Sequence, residues 1–351
     1  MNTEIAIIGG GASGLAAGAV LSRANKRSII TERNPRVGKK LLATGNGRCN
    51  LGHVPLEMSA YHGDVEFAKQ VFADWKGAES FFADLGLICK ADSEGRLYPY
   101  SNTANSVLDS LRRALTVTEV LTETECRSIV LQKDGFLING NISAKKVIWA
   151  CGNAEFSLLE KLGHTVATPF PALCPIIVDK ALTRSLKGLR QRACARAIAG
   201  DKTIKEEYGE VQFNDGSLSG ICIMNLSRLV RDYGNSLTIS LDIAPEFTVR
   251  QLRSIPLSGL FHSRIVQELE KKPLETVKDW RFQVSGVAPW NQSQVMSGGV
   301  FGSELNLDLS SKVCPNLYIT GEAINVDGDC GGYNLEWAWA TGNVAANACI
   351  L

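Results

Sequence analysis

The chain is 351 residues long, which favours two domains over one and lets each bury a core of its own. With 45% apolar and 21% charged residues it has the composition of a globular enzyme, and a net charge of +1 excludes attraction of the chain as a whole to nucleic acid or an anionic membrane while leaving room for a local patch. No apolar run approaches the length of a membrane-crossing helix, and Gly9–Gly14 interrupts any apolar segment of a leader peptide, so a cytoplasmic protein is expected.

Ile5-Ala6-Ile7-Ile8 reads as a short β-branched strand. It runs into Gly9-x-Gly11-x-x-Gly14 and then an Ala-rich helical pattern through Leu21. In a dinucleotide fold these glycines make a tight turn, let the backbone approach a pyrophosphate, and pack helix against strand. The helix start adds N–H groups and a positive dipole end. A second strand, Arg27–Thr31, ends in Glu32, 18 residues after Gly14, where a carboxylate accepts hydrogen bonds from an adenosine ribose. This context predicts a site for an ADP moiety at the start of the chain.

Arg33–Lys40 is a basic turn. Leu41-Leu42-Ala43-Thr44-Gly45-Asn46-Gly47-Arg48-Cys49-Asn50 then reads as a loop that lays backbone against a ligand, with Lys39, Lys40 and Arg48 to neutralise phosphate charge. Val65–Leu85 has helical spacing broken near Gly77, and Thr103–Leu115 is a further amphipathic helix. Val117–Leu121, Glu125–Leu131 and Phe136–Ile138 read as a strand meander, and Lys145–Trp149 as a buried strand ending in Ala150-Cys151-Gly152.

From about Pro169 the pattern changes. Ala193–Ala199, Thr203–Phe213 and Leu237–Ile243 alternate at period two, which predicts a separate antiparallel sheet or partial barrel. Val249–Lys271 is helical in part, broken by Pro256 and Gly259. The C-terminal stretch returns to the opening theme: strand Asn316–Thr320, then Gly321-Glu322, a glycine loop at Asp327–Tyr333, and an Ala-rich helix over Asn334–Ala348. Ten scattered cysteines without a C-x-x-C pair favour free thiols, and four histidines without metal spacing read as surface or capping residues, so no metal is expected.

These motifs together resemble the BaiN-like or aminoacetone-oxidase-like NAD(P)/FAD-dependent oxidoreductases of the two-dinucleotide-binding flavoprotein superfamily. The resemblance rests on Gly9–Gly14, KLLATGNGRCN at 40–50, GRLYPYS at 95–101, TPFPALCP at 168–175, GSLSG at 216–220, SGGV at 297–300 and GEAINVDGDCGGYNLEWAWATG at 321–342. It implies an α/β fold: a Rossmann-like, glutathione-reductase-like FAD domain from 1–168 and 291–351, with a mainly β domain inserted at 169–290. It also implies non-covalent FAD. Gly9, Gly11, Ala12, Ser13 and Gly14 would hold the pyrophosphate, and Glu32 with Arg33 the adenosine ribose. Lys40, Gly47, Arg48, Cys49 and Asn50 would line the pyrophosphate–flavin stretch, and Ala150 and Gly152 the adenine half. Gly321 and Glu322 would meet the ribityl portion, and Gly332, Tyr333, Asn334 and Leu335 the pyrimidine edge of the flavin, where helix-start N–H groups stabilise negative charge on the reduced ring. Set against that family, the chain is expected to be shorter than typical members within the helical part of the inserted domain, around 245–290.

Cys49 stands where related disulfide reductases carry one arm of a redox pair, but Val54 occupies the partner position, which argues against a dithiol relay. Cys49, Arg96, Tyr98 and Tyr333 are the substrate-side candidates. The expected activity passes a hydride through flavin N5 between NAD(P)H and a small organic substrate. Without a second Rossmann motif, the nicotinamide would dock transiently. Two alternatives remain: a non-catalytic flavin-binding or redox-sensing protein, and an RNA-modifying flavoprotein. The near-neutral charge and the lack of basic, aromatic-studded runs argue against the last.

Overall fold

A computed structural model describes residues 1–152 and 156–351. The chain forms two compact units, 1–169 with 296–351, and 170–295. The return to the first unit falls at Met296 rather than at 291, because strand Val295–Val300 carries the chain across and pairs with Val166–Ala172, the strand that leaves it.

In the first unit a parallel sheet runs Thr118–Leu121, Ser28–Thr31, Asn2–Ile8, Ile142–Trp149. Ile142–Trp149 then forks. Its first half pairs antiparallel with Gly135–Ile138, and its last three residues pair in parallel with Leu317–Ile319. The expected meander therefore needs correction. Ile129–Gln132 and Gly135–Ile138 form it together with Ile142–Trp149, while Thr118–Leu121 is the parallel edge strand beside Ser28–Thr31. A β-branched strand reads the same in either direction, so local pattern could not assign its partner.

Helix Ala12–Arg23 is buried along nearly its whole length and packs on the closing helix Tyr333–Ile350. Both helices lack an exposed face and read as uniformly apolar rather than amphipathic. Trp337 and Trp339 anchor the closing helix. Each is almost fully buried, and each indole N–H is satisfied, by Gly321 O (3.0 Å) and Leu51 O (2.9 Å). The expected loop at 41–50 is partly helical, since Lys39–Ala43 forms a short helix before the turn at Thr44–Gly47.

His164 is neither surface nor capping. Buried at 4% exposure, it bridges Glu304 (Nδ1, 2.8 Å) and Ser311 (Nε2, 2.9 Å). Ser311 Oγ accepts the N–H groups of Val313 and Cys314, so its own proton goes to Nε2 and the ring must carry its proton on Nδ1. His262 does cap a helix, accepting the Arg264 N–H.

The second unit is a closed barrel in the order Ile176–Val178, Ser217–Ser219, Lys202–Asn214, Arg190–Ala199, Leu237–Asp242, Trp280–Val287, and back to the first strand. The two long strands join in a tight hairpin at Gly200-Asp201. Phe213, Trp280 and Phe282 fill the interior, and closure removes the exposed edges an open sheet would carry. Among the described residues no helix is long and apolar enough to cross a membrane, no group of metal-ligating side chains gathers, and all ten cysteines are free.

Candidate functional site

Parallel strands of an open α/β sheet present their carboxyl ends to a ligand. Four adjacent strands here end in the marked residues: Ile8 leads to Gly9, Thr31 to Glu32, Trp149 to Ala150, and Ile319 to Thr320-Gly321. Backbone bonds tie these ends together, Gly9 N to Thr31 O, Ala150 N to Ile8 O, and Thr320 N to Trp149 O, at 2.8–2.9 Å. No side chain caps the helix that starts after Gly11, which leaves its first N–H groups for an anion. Glu32 is buried and accepts from Gly10 N (3.0 Å), Asn34 N (2.8 Å) and the Asn34 amide. That leaves about one of its roughly four acceptor positions for a ribose hydroxyl.

Further along, Glu322 gathers groups distant in sequence. It accepts Met296 N (2.6 Å), pairs with Lys40 (3.0 Å), and lies against Gly152. Ser13 touches Gly321 and Gly342, so the two ends of the chain meet at the glycine turn. Tyr333 lies nine residues before Gly342 on one helix, about 14 Å away at 1.5 Å per residue, a separation suited to an extended dinucleotide.

The third cluster surrounds the Gly331–Tyr333 loop. Asn334 closes the loop through its amide, bonding Gly328 N and O. Asn50 lies against Gly332, and its buried Oδ1 has no hydrogen-bond partner. Tyr333 stacks on His53 (4.7 Å between ring centres) and meets Tyr61 edge-on, while Tyr61 OH donates to Tyr333 O at 2.9 Å. His53 Nδ1 lies 3.1 Å from Gly331 O. A carbonyl only accepts, so in the neutral ring Nδ1 carries the proton and Nε2 the lone pair. His62 pairs with Asp329 at 2.8 Å. The sequence reading missed these two histidines and Tyr61, because nothing local marks a residue whose partner lies some 270 positions away.

The remaining expected residues differ in exposure and partners. Cys49 is fully buried and its thiol is pushed up to about 12 by burial, so it offers no thiolate. Arg48 is exposed, lying over the Tyr98 ring, and Gly47 and Arg33 are exposed as well. Arg96 is held within its own hairpin by Asp92 (2.9 Å) and Glu94 (2.8 Å), which makes it a poor substrate ligand. Leu335 is half-buried against the core of the unit. Taken together, the uncapped helix start, the open space over Gly11 and the orphaned Asn50 oxygen fit a dinucleotide laid along this edge.

Glu336, one turn into the closing helix, is almost fully buried and accepts Trp75 Nε1 (2.6 Å) and Ala78 N (2.7 Å). Burial raises its carboxyl from 4.5 to about 6, against the opposing pull of these bonds. Between those two values the folded state keeps a proton that the unfolded chain has released, so stability falls as pH rises through the window. Urea unfolding at pH 5.0 and 7.5 should show the parent losing about 1 kcal/mol relative to Glu336→Gln, and equal pH dependence of the two proteins would refute the assignment.

Residues 3–348 match the HI0933-like protein Rossmann domain. A 3-dehydro-bile acid delta(4,6)-reductase from Clostridium scindens is 33% identical over an alignment of 403 residues, covering 98% of each chain. That alignment is longer than the 351-residue chain, so the relative carries segments this one lacks. A ribosomal RNA dihydrouridine synthase from Escherichia coli is 24% identical over 98% of this chain and 97% of its own length. Among solved structures, a 3-ketosteroid-delta4-(5alpha)-dehydrogenase from Rhodococcus jostii shares the fold, with a TM-score of 0.50 at 13% identity, over 100% of this chain and 97% of that one.

Proposed function

The chain belongs to the HI0933-like Rossmann flavoprotein family, and on that premise we propose that it is an FAD-dependent oxidoreductase that saturates a carbon–carbon double bond conjugated to a carbonyl, with NAD(P)H as reductant. The observation that carries the reading is the continuous edge from Gly11 through Glu322 to Asn50 and Gly332 within one unit. Gly9–Gly14 and the first turn of the opening helix would hold the pyrophosphate, Glu32 the ribose, and Asn50 with the start of the closing helix the pyrimidine edge. Bound there, FAD supplies hydride transfer at N5.

The double bond is suggested by the relatives' names, since a delta(4,6)-reductase and a dihydrouridine synthase each saturate one. Conjugation matters because a carbonyl oxygen spreads the charge left by hydride addition, and a proton must then reach the adjacent carbon. The His62–Asp329 pair, and His53 in its imidazolium form, are groups on this chain suited to supply it. A second reading takes the uracil ring of an RNA as the substrate, and a basic run in the inserted unit favours it.

Anaerobic NADH or NADPH should bleach the absorbance near about 450 nm, and a conjugated enone or a uridine-containing RNA should restore it. Cofactor released from the purified protein should have the mass of FAD. Colourless protein that cannot be reconstituted with FAD would refute the reading.

A further inference from the structure

The net charge of +1 conceals a division. The inserted unit carries 17 Lys and Arg against 13 Asp and Glu, a net of +4, which leaves the other unit with 20 against 23. The excess is concentrated. Lys180–Arg196 holds six cations (Lys180, Arg184, Lys187, Arg190, Arg192 and Arg196) in 17 residues without one acid.

The local structure turns this run outward. Leu186 is fully buried and pins the turn, while Arg184 and Lys187 on either side are exposed. Arg264 braces the turn by donating to Ser185 O (3.0 Å) and Lys187 O (3.2 Å). Arg190 and Arg192 are two apart on a strand, so they share a face, and both are exposed. Lys180, Arg190 and Arg196 have carboxylate partners in Asp215, Glu210 and Glu206. Among the described residues, Arg184, Lys187 and Arg192 have none within ion-pair distance. The Lys180 ammonium holds the Asp215 carboxyl below the usual range, with Lys187 and Arg184 adding to the effect, which places three cations around one acid. Three cations around one acid on a clamped turn leave a local excess of positive charge, which a polyanion would relieve.

We propose that the Lys180–Arg192 face of the barrel unit is a docking surface for the phosphate backbone of RNA. This rests on the RNA reading above and names the surface that would recruit such a substrate. A membrane surface is disfavoured, because no large apolar side chain within the run is exposed to enter the lipid.

The test is fluorescence anisotropy of a labelled, uridine-rich RNA hairpin with the flavin-loaded full chain between about 50 and 200 mM salt. The parent should bind with a steep salt dependence. The Arg184→Gln, Lys187→Gln, Arg192→Gln triple variant should bind about tenfold or more weakly, with a log–log salt slope shallower by about two to three, at unchanged flavin content. Should the triple variant fail to fold, Lys187→Gln and Arg192→Gln alone should each reduce the slope by about one. Absence of RNA binding by the parent, an unaltered slope in the variants, or preferential binding to phosphatidylglycerol vesicles would each overturn the proposal. The readout is binding, so failure of the flavin chemistry would appear separately, as a parent that binds RNA but is not bleached by NAD(P)H.

Discussion

Gly11→Ala is expected to purify colourless while its apoprotein unfolds at the parent's midpoint, whereas Gly14→Ala should lose both flavin and stability. The contrast follows from what an added methyl would meet. At Gly11 a Cβ finds nothing within 4 Å, so an added methyl meets no protein atom and would enter the space proposed above for the pyrophosphate. At Gly14 a Cβ would lie 2.0 Å from Gly9 O and 3.2 Å from the Ala150 methyl, so the helix and the turn must separate. Overpacking of that kind costs about 1–3 kcal/mol, and a displaced turn should weaken FAD binding about a hundredfold. Flavin-to-protein absorbance ratios and apoprotein melting curves measure both quantities. A yellow Gly11→Ala protein with unaltered affinity would remove the pyrophosphate from this turn.

The second large effect lies in the inserted unit. Lys278 Nζ donates to Asp242 Oδ2 (2.7 Å) and to the carbonyls of Ala244 (2.8 Å) and Phe247 (2.7 Å), tying the end of strand Leu237–Asp242 to the segment that follows it. The Asp242 side chain is 6% exposed. Lys278→Met would leave that buried carboxylate with the Ala244 N–H (3.2 Å) and the more distant Arg196 (3.9 Å), would take the Lys278 donor from Phe247 O, and should destabilise the barrel by about 3 kcal/mol. Calorimetry should then show an early transition during which flavin absorbance persists, since the binding edge belongs to the other unit. A single, unshifted transition would refute this role. Replacing Asp242 as well, in Lys278→Met with Asp242→Asn, should recover part of the loss by removing the unpaired charge.

The opening site was readable because it is local: strand, turn, helix, second strand and acid follow one another within 32 residues, and each spacing has its own steric reason. The barrel was readable through period-two alternation, although its closure was not, since no strand's pattern reveals that Trp280–Val287 returns to Ile176–Val178. The averaged charge carries no positional information: a net of +1 speaks only for the chain as a whole, while the cations of the run at 180–196 are balanced by acids elsewhere in the chain.

What the sequence by itself determined is whatever depends on neighbours along the chain: the dinucleotide turn, the glycine loop ahead of the closing helix, the alternating strands, and the family to which those motifs belong. What only the tertiary structure decided is which distant groups share a place. Lys40 meets Glu322 across 282 positions, His53 stacks on Tyr333, Glu336 lies buried beside Trp75 and Ala78, Cys49 is sealed from solvent, and Arg96 is bound by its own hairpin. Spacing and propensity act over a few residues. Burial, pairing and the titration of a carboxylate depend instead on the surroundings that long-range packing creates.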